Sequence, residues 1–167
     1  MAQVNFAKTN RTDKQMKDSK KYDSLKLSNQ VCFPLYACSK ELVNRYNPYL
    51  KKLGLTYTQY IVMMVLWEHK EVSSRDLASK LHLDYGTLTP VLKRLESTGY
   101  LTRERDPKDE RLLIVSVTDK GEALKDEAVK IPTCIAKCAG LSEEEFKTLY
   151  MLTYKALANM ENASCNK

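Results

Sequence analysis

The sequence predicts a mainly α-helical chain with one small β-hairpin, and three observations lead there. Apolar residues recur at three- and four-residue steps through most of the chain, and capping residues separate one period from the next. One stretch, Tyr100 to Val117, instead mixes apolar with polar or charged residues on both sides of a Pro-containing turn. From Thr56 to Thr118 the order is two short helices, a turn, a longer helix and a hairpin with a charged tip, which is the order of a winged helix-turn-helix.

The first long helix is predicted from about Leu27 to Leu53, with Val31, Leu35, Cys38, Leu42, Tyr46, Tyr49 and Leu53 forming a stripe. Little of its own chain is near to cover that stripe, so a second copy is its natural cover. Pro34 and Pro48 are positions where this helix can bend or break. Tyr57 to His69 follows, with Tyr60, Met63, Met64 and Trp67 on one apolar face read as core. Ser73, with Asp76 three positions on, caps a short helix carrying Leu77 and Leu81 inward. Asp84 caps a helix from Tyr85 to about Thr98 that turns Leu88, Leu92 and Leu95 to the core, and Gly99 ends it.

Short polar side chains early in that helix, Thr87 and Thr89, with Lys93 and Arg94 later, suit a helix entering a major groove N-terminus first. Asp84, Tyr85 and Pro90 belong to the same candidate contact set. In the hairpin Arg103, Arg105 and Lys108 are placed to meet phosphates. After it, Thr118 or Asp119 opens a helix towards Lys130, interrupted near Pro132, and Ser142 with Glu145 forms a capping box for a last helix. The total is about six helices and one hairpin.

Composition narrows the classes. At 167 residues and 43% hydrophobic content one globular domain is expected. The net charge of +6 has the sign that suits a phosphate-bearing partner. Seven lysines and arginines against three aspartates in the first 26 residues leave +4 there, so residues 1–26 read as a polar basic arm. The longest apolar run, Ile61 to Trp67, is far short of the ~20 residues of a membrane span, and a cytoplasmic protein with no membrane partner is expected. Five cysteines without a secretory signal argue against a disulfide framework and leave reactive, metal-binding or buried thiols. Cys134 and Cys138 share a helical face, but neither His69 nor His82 stands at zinc-ligand spacing, so neither metal nor cofactor is expected.

Asp109-Glu-Arg111 followed by Leu-Leu-Ile-Val-Ser-Val-Thr118 resembles the wing of multiple-antibiotic-resistance-type (MarR) repressors, with Val117 where that family has Leu. Leu27 to Ala37, Leu55-Thr-Tyr-Thr-Gln-Tyr60, Leu66-Trp-Glu-His69 and Leu83 to Glu96 narrow the likeness to the organic hydroperoxide resistance regulators. Tyr85 departs from the small residue usual there. The resemblance covers residues 27–160. It implies a homodimer with dimerisation helices at 27–55 and 119–160, a winged helix-turn-helix at 56–118, and a tail at 161–167.

The same resemblance implies a repressor that holds double-stranded operator DNA until an organic hydroperoxide oxidises Cys32. Cys32 then occupies the sensing position near a helix start, where exposed amides favour a thiolate. Tyr36, Tyr46 and Tyr57 match the tyrosines that support the reactive sulfur. Tyr46 lies 14 positions on, about 21 Å along a continuous helix, so the second chain would supply it. Cys134 is the implied resolving cysteine, paired with Cys32 of the other chain, and Cys138 is the second candidate. Cys38 and Cys165 read as core and incidental. Arg111, oriented by Asp109, is expected to enter a minor groove. The alternative readings are a repressor of the same fold answering a phenolic ligand with Cys32 inert, and a thiol enzyme consuming peroxide. No enzymatic activity is expected.

Overall fold

The structure is a computed structural model, and it describes residues 21–107, 109 and 112–163. Lys108 and Arg111 lie outside the described residues, as do most of the basic arm and Cys165. The chain divides into two units, residues 1–43 and 44–167, with the division inside the first helix.

In the first unit two 3-10 turns, Asp23–Leu25 and Leu27–Asn29, precede helix α1, Cys32–Leu53. The sequence reading began this helix near Leu27. The Asn29 amide donates to the Asp23 carbonyl at 2.8 Å, and the Gln30 amide to that of Ser24. Such side-chain bonds to backbone compete with helix formation. Starting at Cys32 also leaves Pro34 in the first turn, where its missing N–H is not required. Val31 is 77% exposed, and Leu25, Leu27, Leu35 and Tyr36 are exposed as well. Cys38, expected in the core, is also exposed.

The second unit holds the core. Helix α2, Tyr57–His69, opens on a capping box: Gln59 N–H donates to Thr56 Oγ1 at 3.3 Å, and Thr56 N–H to Gln59 Oε1 at 2.8 Å. Tyr60, Met63 and Trp67 are buried as the stripe implied, but Met64 is 44% exposed, and Val62 and Leu66 are sealed instead. The reason is position. Helix α2 packs against α3 (Ser74–Leu81), α4 (Tyr85–Ser97), α5 (Asp119–Ala128) and two strands, so its burial exceeds one stripe.

The expected two-stranded hairpin is part of a three-stranded antiparallel sheet of order β1-β3-β2. Strands β2 (Leu101–Arg105) and β3 (Leu113–Val117) are its predicted arms, with Arg103 opposite Val115. The added strand β1, Glu71–Ser73, pairs Val72 with Val115. It leaves α2 through Lys70, at φ 66° and ψ −49°. Helices α3 and α4 carry the predicted caps: Asp76 N–H donates to Ser73 Oγ at 3.0 Å, and Thr87 N–H to Asp84 Oδ1 at 2.8 Å. Leu77, Leu88, Leu92, Leu95, Leu101 and Val115 complete the packing.

Thr118 caps α5, and Gly121 within it is there for want of space. A Cβ on Gly121 would stand 2.1 Å from the Tyr100 carbonyl oxygen. The Trp67 indole N–H donates to the Gly121 carbonyl at 2.9 Å across the same contact. Where an interruption was expected near Pro132, a separate helix α6, Ile131–Cys138, begins, with the proline in its first turn. Helix α7, Glu143–Asn162, opens on the predicted Ser142–Glu145 capping box and buries none of its residues. The described residues are thus mainly α-helical with one small sheet, as the sequence predicts.

Candidate nucleic-acid interface and thiol site

Helix α4 divides cleanly by period. Leu88, Leu92 and Leu95 are buried, and Tyr85, Thr87, Thr89, Pro90, Lys93 and Arg94 are all exposed. Thr89, Lys93 and Ser97 stand at helical spacing on the open side, with Pro90 and Arg94 beside them. Pro90 has no N–H to offer the Gly86 carbonyl, so that acceptor is left to other donors. Asp84 is committed to its cap: besides the Thr87 amide it accepts the Thr87 hydroxyl at 2.8 Å. The Thr87 backbone and hydroxyl bonds, in that order, hold the Asp84 carboxyl below the usual carboxylate range. A carboxylate here helps fix the N-terminus of the exposed helix.

The sheet brings a second polar element alongside. Arg105 is exposed at the end of β2, and the Asp109 carbonyl accepts the Leu112 amide at 2.9 Å within the turn. Arg103 is differently placed. Its side chain is 17% exposed, and its Nε donates to Glu96 Oε2 at 3.0 Å, with a second bond from Nη2. The Arg103 hydrogen bond, ahead of its charge, keeps the Glu96 carboxyl below its usual range. Arg103 therefore ties β2 to α4.

The thiols fall in both units. Cys32, at the first position of α1, is exposed, as is Tyr36 one turn on. In the second unit the structure brings Tyr46 and Tyr57 together, ring centroids 5.1 Å apart and edge-on, and adds Tyr60 at 5.8 Å from Tyr46. Burial raises the pKa of all three phenols, that of Tyr60 to about 12, with its tyrosine neighbours adding to the shift. These phenols keep their protons and can donate hydrogen bonds. The sequence reading took Tyr60 only as core; its spacing from Tyr57 was the available signal.

Cys134 is half-buried on α6 and Cys138, one turn on, is exposed. A second tyrosine, Tyr49, which the sequence places only in a stripe, lines a small cavity together with Cys134. Among the described residues no group of three or more His, Cys, Asp or Glu could hold a metal ion. Nor is any helix among them long and apolar enough to cross a membrane.

A helix with a capped N-terminus and a polar outer face, backed by a second helix and flanked by a small antiparallel sheet, defines the winged helix-turn-helix class of transcriptional regulator. Residues 44–128 match the family described as transcriptional regulator SarA/Rot. The organic hydroperoxide resistance transcriptional regulator of Bacillus subtilis is 44% identical over 84% of this chain and 95% of its own. The regulator SarZ of Staphylococcus aureus is 42% identical over 71% of this chain and 80% of its own. The chain belongs to this family of MarR-type transcriptional regulators, in the branch of the organic hydroperoxide resistance regulators. Among solved structures, AbfR of Staphylococcus epidermidis, reduced and bound to DNA, is 34% identical with a TM-score of 0.70, over 85% of this chain and 99% of that one. AbfR has also been solved overoxidised on DNA (34% identical, TM-score 0.67, over 84% and 98% of the two chains) and with its disulfide formed (32%, 0.58, over 89% and 98%).

Proposed function

We propose that the chain is a homodimeric repressor released from operator DNA when an organic hydroperoxide oxidises Cys32. The observation that carries the reading is the 44% identity to a hydroperoxide resistance regulator across most of both chains, with an exposed cysteine opening α1. The reduced, overoxidised and disulfide states of AbfR support a thiol as the input. In this mechanism the Cys32 thiolate attacks the O–O bond, leaving Cys32 as a sulfenic acid and the peroxide as an alcohol. Cys134 of the second copy then closes a disulfide with loss of water, Cys138 being the alternative resolving thiol. Tyr46 and Tyr57, with Tyr36, serve as donors to the reactive sulfur. Tyr85, Thr87, Thr89, Pro90, Lys93, Arg94 and Arg105 form the DNA face on the side Asp84 caps, with Lys108, Asp109 and Arg111 at the hairpin tip.

The test is binding of the reduced protein to its own upstream DNA, before and after one equivalent of organic hydroperoxide, with Cys32→Ser in parallel. Release of the wild type alone is expected. Release of both proteins, or of neither, would remove Cys32 as the switch.

A second reading rests on a cavity of about 300 Å³ lined by Tyr60, Met64, Trp67, Lys125, Ala128 and Pro132 among others. It is apolar, with Glu68 and Lys125 as its charged groups, and is of a size to take a small phenol. Release by such a ligand and not by peroxide would favour it.

A further inference from the structure

A cavity of about 250 Å³ opens beside α6, and Tyr49, Lys52, Glu127, Lys130 and Cys134 stand in its wall. Tyr49 and Cys134 share this cavity. Cys134 is the largest influence raising the Tyr49 pKa above the usual tyrosine value, followed by burial, with Cys138 contributing less. The phenol thus keeps its proton and can donate.

We propose that Tyr49 is the positioning residue of Cys134, its O–H aimed at the sulfur that resolves oxidised Cys32. The proposal rests on the reading that Cys134 resolves Cys32 of a second copy. In that step the Cys134 thiolate attacks the sulfenic sulfur, the S–S bond forms, the S–O bond breaks, and the departing hydroxide takes up a proton and leaves as water. Tyr49 loses nothing in the reaction. It orients the sulfur lone pairs and stabilises their charge, as hydrogen bonds to ionised acceptors do more strongly than to neutral ones. Lys52 on α1, Glu127 on α5 and Lys130 at the start of α6 line the same cavity, and Cys138 stands one turn on from Cys134. Tyr49 is the group among them that can be changed by one oxygen atom.

The experiment uses full-length Cys32→Ser protein, reduced and without peroxide. Alkylation of Cys134 by iodoacetamide is followed by peptide mass spectrometry from pH 6.5 to 10, with and without Tyr49→Phe, and exposed Cys38 is the internal reference. The expected result is a fall of about ten-fold in the Cys134 rate at neutral pH in Tyr49→Phe. The two curves should converge at high pH, with a smaller change at Cys138 and the thermal midpoint unchanged. In protein retaining Cys32, hydroperoxide should then give Tyr49→Phe less Cys32–Cys134 cross-linked dimer and more sulfinic acid on Cys32 than wild type. Equal Cys134 rates at every pH would overturn the role of Tyr49. Wild type that never cross-links through Cys134 would instead overturn the resolving reading, and that failure is separate because the alkylation series contains neither Cys32 nor peroxide.

Discussion

Tyr60 is the buried member of the tyrosine cluster. It is 2% exposed, its ring tilted against Tyr46 and 6.1 Å from Trp67, and its pKa is raised to about 12. A group whose folded pKa lies above its unfolded value near 10 binds its proton more tightly when folded. Its contribution is therefore fully present below about pH 10 and is lost as pH rises towards 12, where the unfolded chain has already released the proton. Tyr46 and Tyr57 shift in the same direction, so the cluster acts together. The denaturant midpoint of the wild type should fall between pH 10 and 12, and Tyr60→Phe should flatten that fall. An unchanged slope in the variant would show that Tyr60 titrates as it does in the unfolded chain.

Gly121 sets how closely α5 approaches the start of β2. A methyl group there meets the Tyr100 carbonyl at 2.1 Å, Val117 Cγ2 at 2.9 Å and Met63 Cε at 3.0 Å. The carbonyl is backbone and cannot swing away, so α5 must shift and strain the Trp67 bond to Gly121. Gly121→Ala should cost about 2 kcal/mol, a fall of roughly 4–8 °C in Tm by calorimetry, despite the higher helix propensity of alanine. A Tm at or above the wild-type value would show that the approach is loose. At this scale the sequence is legible where the signal is local. Ser73, Asp84, Thr118 and Ser142 each cap the helix that begins beside them, and the apolar period of α4 gave its buried face. Strand β1 was not legible, because Glu71-Val72-Ser73 is too short for a period and exists only through pairing with β3. The Arg103 tie to Glu96 and the approach of Tyr49 to Cys134 were hidden for the same reason: each joins residues from separate elements, and neither has a signature within its own segment. The start of α1 was misplaced because bonds from Asn29 and Gln30 back to preceding carbonyls outweigh the stripe that continues through Leu27 and Val31.

In the whole molecule the apolar surface outruns what one chain can cover. Helix α7 leaves Leu149, Tyr150, Leu152 and Tyr154 exposed, and the first unit does the same with Val31, Leu35 and Tyr36. Exposed apolar area on this scale calls for a partner surface, and for the proposed homodimer it is the self-complementary one. Leu152→Asp should raise the dimer dissociation constant at least about ten-fold by sedimentation, with operator binding falling in parallel. Because α7 buries none of its residues in the chain alone, the core around α2 should remain folded. An undiminished dimer would place the contact elsewhere.

Arg103 clasps Glu96, so the helix proposed to face the bases and the strand leading to the hairpin tip behave as the two tines of one fork. Tilting one tine displaces the other. In the proposed DNA face a backbone adjustment would therefore change base contact and groove contact together. Exchange of outward side chains such as Thr89 and Lys93 would alter base preference alone, with the angle of the fork kept.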